Sequence, residues 1–118
     1  MNTVTIGVAS LAETQRRLAA GFKGNVEAQA PRIDFISFEL LHKVLTPKRW
    51  EILKVMSGQG PMTMREVARR VDRDFKGVHT DIHALILAGL LDRQIIGTES
   101  GVLFPYDAVH LDVTMATA

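Results

Sequence analysis

Apolar and polar positions alternate or recur along this chain with a period that changes from segment to segment. Val4, Ile6 and Val8 alternate, the period-two mark of a half-buried strand. Ser10 and Glu13 then have the S-x-x-E spacing of a helix start, with Leu11, Leu18 and Phe22 along one stripe to about Lys23. Gly24 to Pro31 reads as a polar connection. Ile33 to Phe38 is β-prone, with Ser37 placed to cap a helix through Leu45. Thr46-Pro47 suits an N-cap followed by the first helical position, where proline's missing N–H costs nothing. Ile52, Leu53 and Met56 give that next helix its apolar patch, and Ser57-Gly58-Gln59-Gly60-Pro61 ends it.

The stretch from Thr63 to Leu91 is the most informative. Thr63 and Glu66 form a T-x-x-E capping box, and Val67, Ala68 and Val71 follow at helical spacing. Asp72-Arg73-Asp74 breaks the pattern, and Asp74 is placed to cap a second helix. In it Val78, Ile82, Leu85 and Gly89 fall on one face, while Lys76, His79, Thr80, His83 and Leu87 fall on the other. Asp92 to Ile96 and Val102 to Phe104 then read as strands around a polar loop, Gly97-Thr98-Glu99-Ser100-Gly101. Val109 to Val113 alternates like a last strand. Helix, turn, helix and hairpin in that order make a winged helix-turn-helix, whose second helix enters the DNA major groove.

The expected fold is thus mainly α with a small β-hairpin wing, preceded by a strand-helix-strand extension. Residues 46–106 form the winged unit, 1–45 the extension and 107–118 a C-terminal strand and tail. The terminal elements could cover the monomer core or form a dimer interface, and dimerisation is favoured for the extension because twofold proteins read twofold operators. Leu87, apolar on an otherwise polar face, hints at a partner surface. Trp50 is expected in the core or between helices.

At 118 residues, 47% hydrophobic and 23% charged, the usage is that of a globular domain. No run of 18 apolar residues suggests a membrane span, and no basic, apolar leader opens the chain. Absence of cysteine excludes disulfides and thiol chemistry, and a cytoplasmic location is expected. The net charge of +1 hides a division. Leu40 to Ile96 carries ten basic and six acidic side chains, and the remainder four and seven. A basic reading segment with acidic flanks suits contact with phosphates.

Enzymatic chemistry finds no motif here. His79 and His83 are four apart on one helical face, but no Glu stands between them in an H-E-x-x-H pattern and no third ligand is marked. No serine sits in a G-x-S-x-G elbow, and neither glycine-rich loop carries a phosphate-loop lysine. No catalytic residue, metal or cofactor is therefore assigned. His42 and His110 are isolated and read as structural.

The phrases Leu45-Thr46-Pro47-Lys48-Arg49, Arg73-Asp74-Phe75-Lys76-Gly77-Val78-His79-Thr80-Asp81, Ala88-Gly89-Leu90-Leu91 and Phe104-Pro105-Tyr106-Asp107 resemble small transcriptional regulators with a MarR-like winged helix-turn-helix. The resemblance extends over nearly the whole chain. It implies a DNA-binding regulator, and through the frequent pairing of such genes with toxin genes, an antitoxin role with a toxin protein as partner. The loop Gly97 to Gly101 departs from the pattern by lacking Arg and Lys, which speaks against a minor-groove contact by the wing.

The reading is a sequence-specific, double-stranded DNA-binding regulator, a dimeric repressor that blocks polymerase sterically. Lys76, His79, Thr80 and His83 would face the major groove. Arg65, Arg69, Arg70 and Arg73 would hold phosphates, fixing register without specifying sequence. The alternatives are an antitoxin-type autorepressor and a winged helix used only to bind protein.

Overall fold

The computed structural model describes residues 2–9 and 31–114, so the helix expected from Ser10 to Lys23 lies outside the described residues. The chain forms two compact units, one of Val44–Ala108 with Met1–Asn2, the other of Thr3–Lys43 with Val109–Ala118.

In the second unit β1 (Thr3–Val8) is the central strand of a three-stranded sheet, flanked by β2 (Arg32–Phe35) and by β6 (Ala108–Asp112). β1 and β2 run parallel, with Ile6 opposite Ile33 and Val8 opposite Phe35. Parallel neighbours need a crossover between them, and the helix expected there falls on residues outside the described ones. Val4 and Ile6 are fully buried, as their alternation requires. Gly7 sits where a side chain has no room: a Cβ there would lie 2.8 Å from the Asp112 carbonyl oxygen and 2.6 Å from an Arg32 nitrogen. Arg32 bridges Asp34 on its own strand and Asp112 on β6, at 2.9 and 3.0 Å. α1 (Phe38–Val44) follows β2, and the Ser37 hydroxyl accepts the Leu40 N–H at 3.1 Å.

The first unit is built on three helices. α2 (Pro47–Met56) starts as expected, with Thr46 accepting the Arg49 N–H and Pro47 at the first position. Ile52, Leu53 and Met56 are buried, whereas Trp50, expected in the core or between helices, keeps 37% of its surface exposed. α3 (Met64–Val71) ends in a Schellman-type turn. Asp72 takes the left-handed conformation at φ 54°, which short polar side chains tolerate, and the Arg73 N–H returns to the Ala68 carbonyl. α4 (Phe75–Leu87) starts at Asp74, whose carboxylate accepts the Gly77 N–H at 3.1 Å. It ends at Gly89, φ 83°, with the Leu90 N–H bonded to the Leu85 carbonyl. Val78, Ile82 and Leu85 are fully buried, so this face meets the core. Each such side chain contributes about 1.5–3 kcal/mol through the surface it removes from water.

The wing differs from the expected hairpin in two ways. Its turn is two residues, because β4 (Asp92–Ile96) and β5 (Glu99–Leu103) pair from Ile96 opposite Glu99 to Asp92 opposite Leu103. Glu99, Ser100 and Gly101, expected in the loop, therefore belong to a strand. Gly97 at φ 64°, followed by Thr98 without positive φ, suits the first central position of a type II′ turn, whose twist matches the strands. A short β3 (Met62–Thr63) also pairs with β5, giving the sheet order β3-β5-β4. Gly101 allows this: a Cβ would meet the Ile96 side chain at 2.5 Å and the Met62 carbonyl oxygen at 3.0 Å.

Candidate nucleic-acid interface

The expected reading face is present as geometry. Lys76, His79, Thr80 and His83 are all exposed on α4, opposite its buried Val78, Ile82 and Leu85. Two turns of helix therefore offer one ammonium, two imidazoles and one hydroxyl outward. The Thr80 hydroxyl donates to the Lys76 carbonyl at 3.1 Å and must rotate away from its own helix to reach a ligand. Leu87 is 77% exposed at the far end of this helix.

The four arginines expected at phosphates divide into two kinds. Arg65 and Arg69 project from α3 into solvent, and Arg70 is less exposed. Arg65 reaches Glu99 of the wing at 3.5 Å. Arg69 and Arg70 both bind the Glu66 carboxylate, each through its Nε at 2.8 Å. These bonds, Arg69 first and Arg70 second, hold the Glu66 carboxyl at about 2, well below its ordinary value. Thr63 accepts the Glu66 N–H at 3.1 Å as expected for the capping box. The Glu66 carboxylate, expected to complete the box, is instead taken by the two arginines.

Arg73 is the different one. Its Nη2 donates to Asp81 at 2.8 Å, and the other Asp81 oxygen accepts from Arg49 Nε at 3.0 Å. Side-chain exposures of 22% for Arg73, 19% for Arg49 and 14% for Asp81 mark a largely sequestered ion triad. Burial pushes the Asp81 carboxyl up, but the two guanidiniums together outweigh it and hold it below the usual aspartate range. Arg49 also donates to the Val44 carbonyl at 2.9 Å. The triad thus ties α2, the α3–α4 turn and α4 together. Gly77 leaves the room: a Cβ there would lie 3.3 Å from the Arg73 guanidinium.

Arg49, Phe75 and Asp81 stand in the phrases that carry the resemblance, but the sequence reading gave none of them a role. A signal existed for Asp81. It falls at the edge of the stripe made by Val78, Ile82 and Leu85, and a charge beside a core needs a partner. Which cation would answer it, 32 residues away or eight, is decided by packing. Phe75 opens α4 and remains 47% exposed, its ring 5.8 Å from that of His79 and tilted 40°. Two clefts meet at Phe75. One of about 490 Å³ is lined by Arg65, Ala68, Arg69 and Arg73, and one of about 330 Å³ by Met64, Arg65, His79 and the wing residues Thr98 to Ser100. Among the described residues, no group of three or more His, Asp or Glu side chains is arranged to hold a metal ion, and no helix is long and apolar enough to cross a membrane.

Three helices, a left-handed turn before an outward polar helix, and a three-stranded wing define a winged helix-turn-helix protein. A family model designated HVO_A0114 matches residues 44–111, more than half of the sequence, and the chain belongs to that family. No curated protein matches the sequence. Among solved structures, it is similar to a predicted DNA-binding transcriptional regulator from E. coli, at 18% identity over 83% of this chain and 86% of that one, with a TM-score of 0.54. It is likewise similar to NolR from Sinorhizobium fredii, at 15% identity over 85% of this chain and 81% of that one, with a TM-score of 0.51. At these identities the likeness shows a shared fold. The homodimeric winged helix-turn-helix DNA-binding domain Mb0332 from Mycobacterium bovis aligns at 22% identity over 52% of this chain, with a TM-score of 0.49. The chain spans 57% of the length of that domain fragment.

Proposed function

We propose that this chain is a sequence-specific, double-stranded DNA-binding transcriptional regulator that acts as a dimeric repressor. The observation that carries the reading is the outward face of α4. Lys76, His79, Thr80 and His83 stand exposed along one side of a helix whose opposite side is fully buried. In a helix-turn-helix this is the helix whose side chains reach base edges. Arg65 and Arg69 line the cleft at its amino-terminal residue Phe75, and with Arg70 they would hold phosphates. Their carboxylate partners are in solvent-screened surface pairs, so phosphate oxygens can replace them. Arg73 is assigned a different part, because its guanidinium is already committed to Asp81. It would orient the reading helix, and phosphate contact would fall to the other three.

Residues 46–106 are assigned the DNA-binding role, and the 1–45 extension the dimer contact. Repression would then be steric, a bound dimer occupying its operator with no chemistry catalysed. Enrichment of binding sites from a random duplex library, followed by salt titration, tests this. Selection of one motif, with affinity falling as salt rises, is the expected result. A library that shows neither overturns the proposal.

One observation favours a second reading, a winged helix that binds protein. Leu87 and Ile95 are 77% and 72% exposed, and the two-residue wing turn carries no cation. Salt-independent failure to bind any duplex, together with a folded chain, would favour it.

A further inference from the structure

We propose that Phe75 is a specificity-determining residue that reads a thymine in the major groove through its C5-methyl group. This rests on the DNA-binding reading of α4. Phe75 is the first residue of that helix, and amino-terminal residues of the second helix are the ones that contact base edges in this motif. The other apolar side chains on the first two turns, Val78 and Ile82, are fully buried, yet Phe75 leaves 47% of its surface in water. Its ring lies beside that of His79 one turn on, and lines one cleft with Ala68 and the other with Met64.

The surroundings select the occupant. Arg65, Arg69 and Arg73 line the larger cleft, Arg65 also lines the smaller one opposite Glu99, and Lys76 follows in sequence. An apolar ring fringed by cations suits an apolar group lying within a polyanion better than an apolar protein surface. Phenylalanine has no donor or acceptor, so it cannot read the hydrogen-bonding pattern of a base edge. The apolar group a major groove does offer is the thymine methyl. Phe75 would thus supply the methyl contact while Lys76, His79 and Thr80 supply the polar ones.

The test uses the full chain and the duplex enriched from a random library. Each thymine of that site is replaced in turn by deoxyuridine, which removes only the methyl. For the wild-type protein, one position should lose affinity about fourfold, the effect of one methyl-sized group buried. Phe75→Ala should bind the thymine duplex about fourfold more weakly and be indifferent to the methyl at that position. In a parallel measurement on the wild-type chain, 5-iododeoxyuridine at that position should photocrosslink to the peptide containing Phe75, so the outcome does not depend on the variant folding. Methyl dependence that persists in folded Phe75→Ala, crosslinks confined to other residues, or no methyl dependence at any thymine would overturn this inference and leave the DNA-binding reading intact. Tighter binding to single strands than to the duplex would also overturn it. Failure to enrich any duplex would overturn both.

Discussion

Replacing Asp81 with Ala removes the shared acceptor of two guanidiniums, and the structure allows the cost to be worked out. Asp81 makes one charged hydrogen bond to Arg49 at 3.0 Å and one to Arg73 at 2.8 Å. Breaking a buried ion pair by deleting one partner costs about 3–5 kcal/mol, because the other charge stays desolvated. Here the three side chains keep 14–22% of their surface in water, which reduces the penalty. Arg49 also retains the Val44 carbonyl. Arg73 fares worse, since its Nη1 is already buried without an acceptor and Asp81 is its only side-chain partner among the described residues. The expected loss is about 2–3 kcal/mol. For a unit of this size that lowers Tm by roughly 8–24 °C. Thermal unfolding followed by circular dichroism measures it, and Asp81→Asn, which keeps one acceptor oxygen, should lose about half as much. The pH dependence has a definite sign. The folded carboxyl titrates below its unfolded value of about 3.9, so its contribution is full above that pH and is lost as pH falls through the lower folded value. Wild type should therefore approach Asp81→Ala in stability at low pH. A Tm for Asp81→Ala within about 2 °C of wild type at neutral pH, or a difference that grows on acidification, would refute the reasoning.

Other outcomes follow from the same geometry. Arg65→Ala or Arg69→Ala should reduce the slope of log affinity against log salt by about 0.9 for each phosphate no longer neutralised, while Arg73→Ala should lower Tm and leave that slope nearly unchanged. Thr80→Ala should weaken binding to the enriched site far more than to random DNA with little change in Tm, whereas Val78→Ala, at a fully buried position, should cost about 2 kcal/mol of stability and reduce all binding together. Gly101→Ala should destabilise the wing by about 1–3 kcal/mol, seen by denaturant unfolding, because the added methyl meets Ile96 and the Met62 backbone. Deleting residues 1–34 removes β1, the central strand of its sheet, and sedimentation should show the full chain as the proposed dimer and the truncated chain as a folded monomer.

Much of this architecture was legible in the sequence because it depends on neighbours a few residues apart. Thr46-Pro47, Ser37, Thr63 and Asp74 cap their helices through bonds to N–H groups three residues on, so residue type and spacing alone locate the starts of α1 to α4. The stripe of Val78, Ile82 and Leu85 similarly determined which side of α4 would be buried, and hence which residues would face outward. What escaped was a choice between competing local partners in one case and packing across distance in the others. Glu66 had two legitimate roles in sequence, closing the capping box or pairing with cations, and the helical placement of Arg69 and Arg70 decided for the second. Met62-Thr63 is too short to read as a strand and becomes one only because β5 lies beside it with a glycine at the crossing. Arg65, Arg69, Arg70 and Arg73 look equivalent along the chain. Folding brings the Asp81 carboxylate, shared with Arg49, against Arg73 while Arg65 and Arg69 remain in water, because where a charge finds its partner depends on how the helices pack, and local spacing carries no record of that.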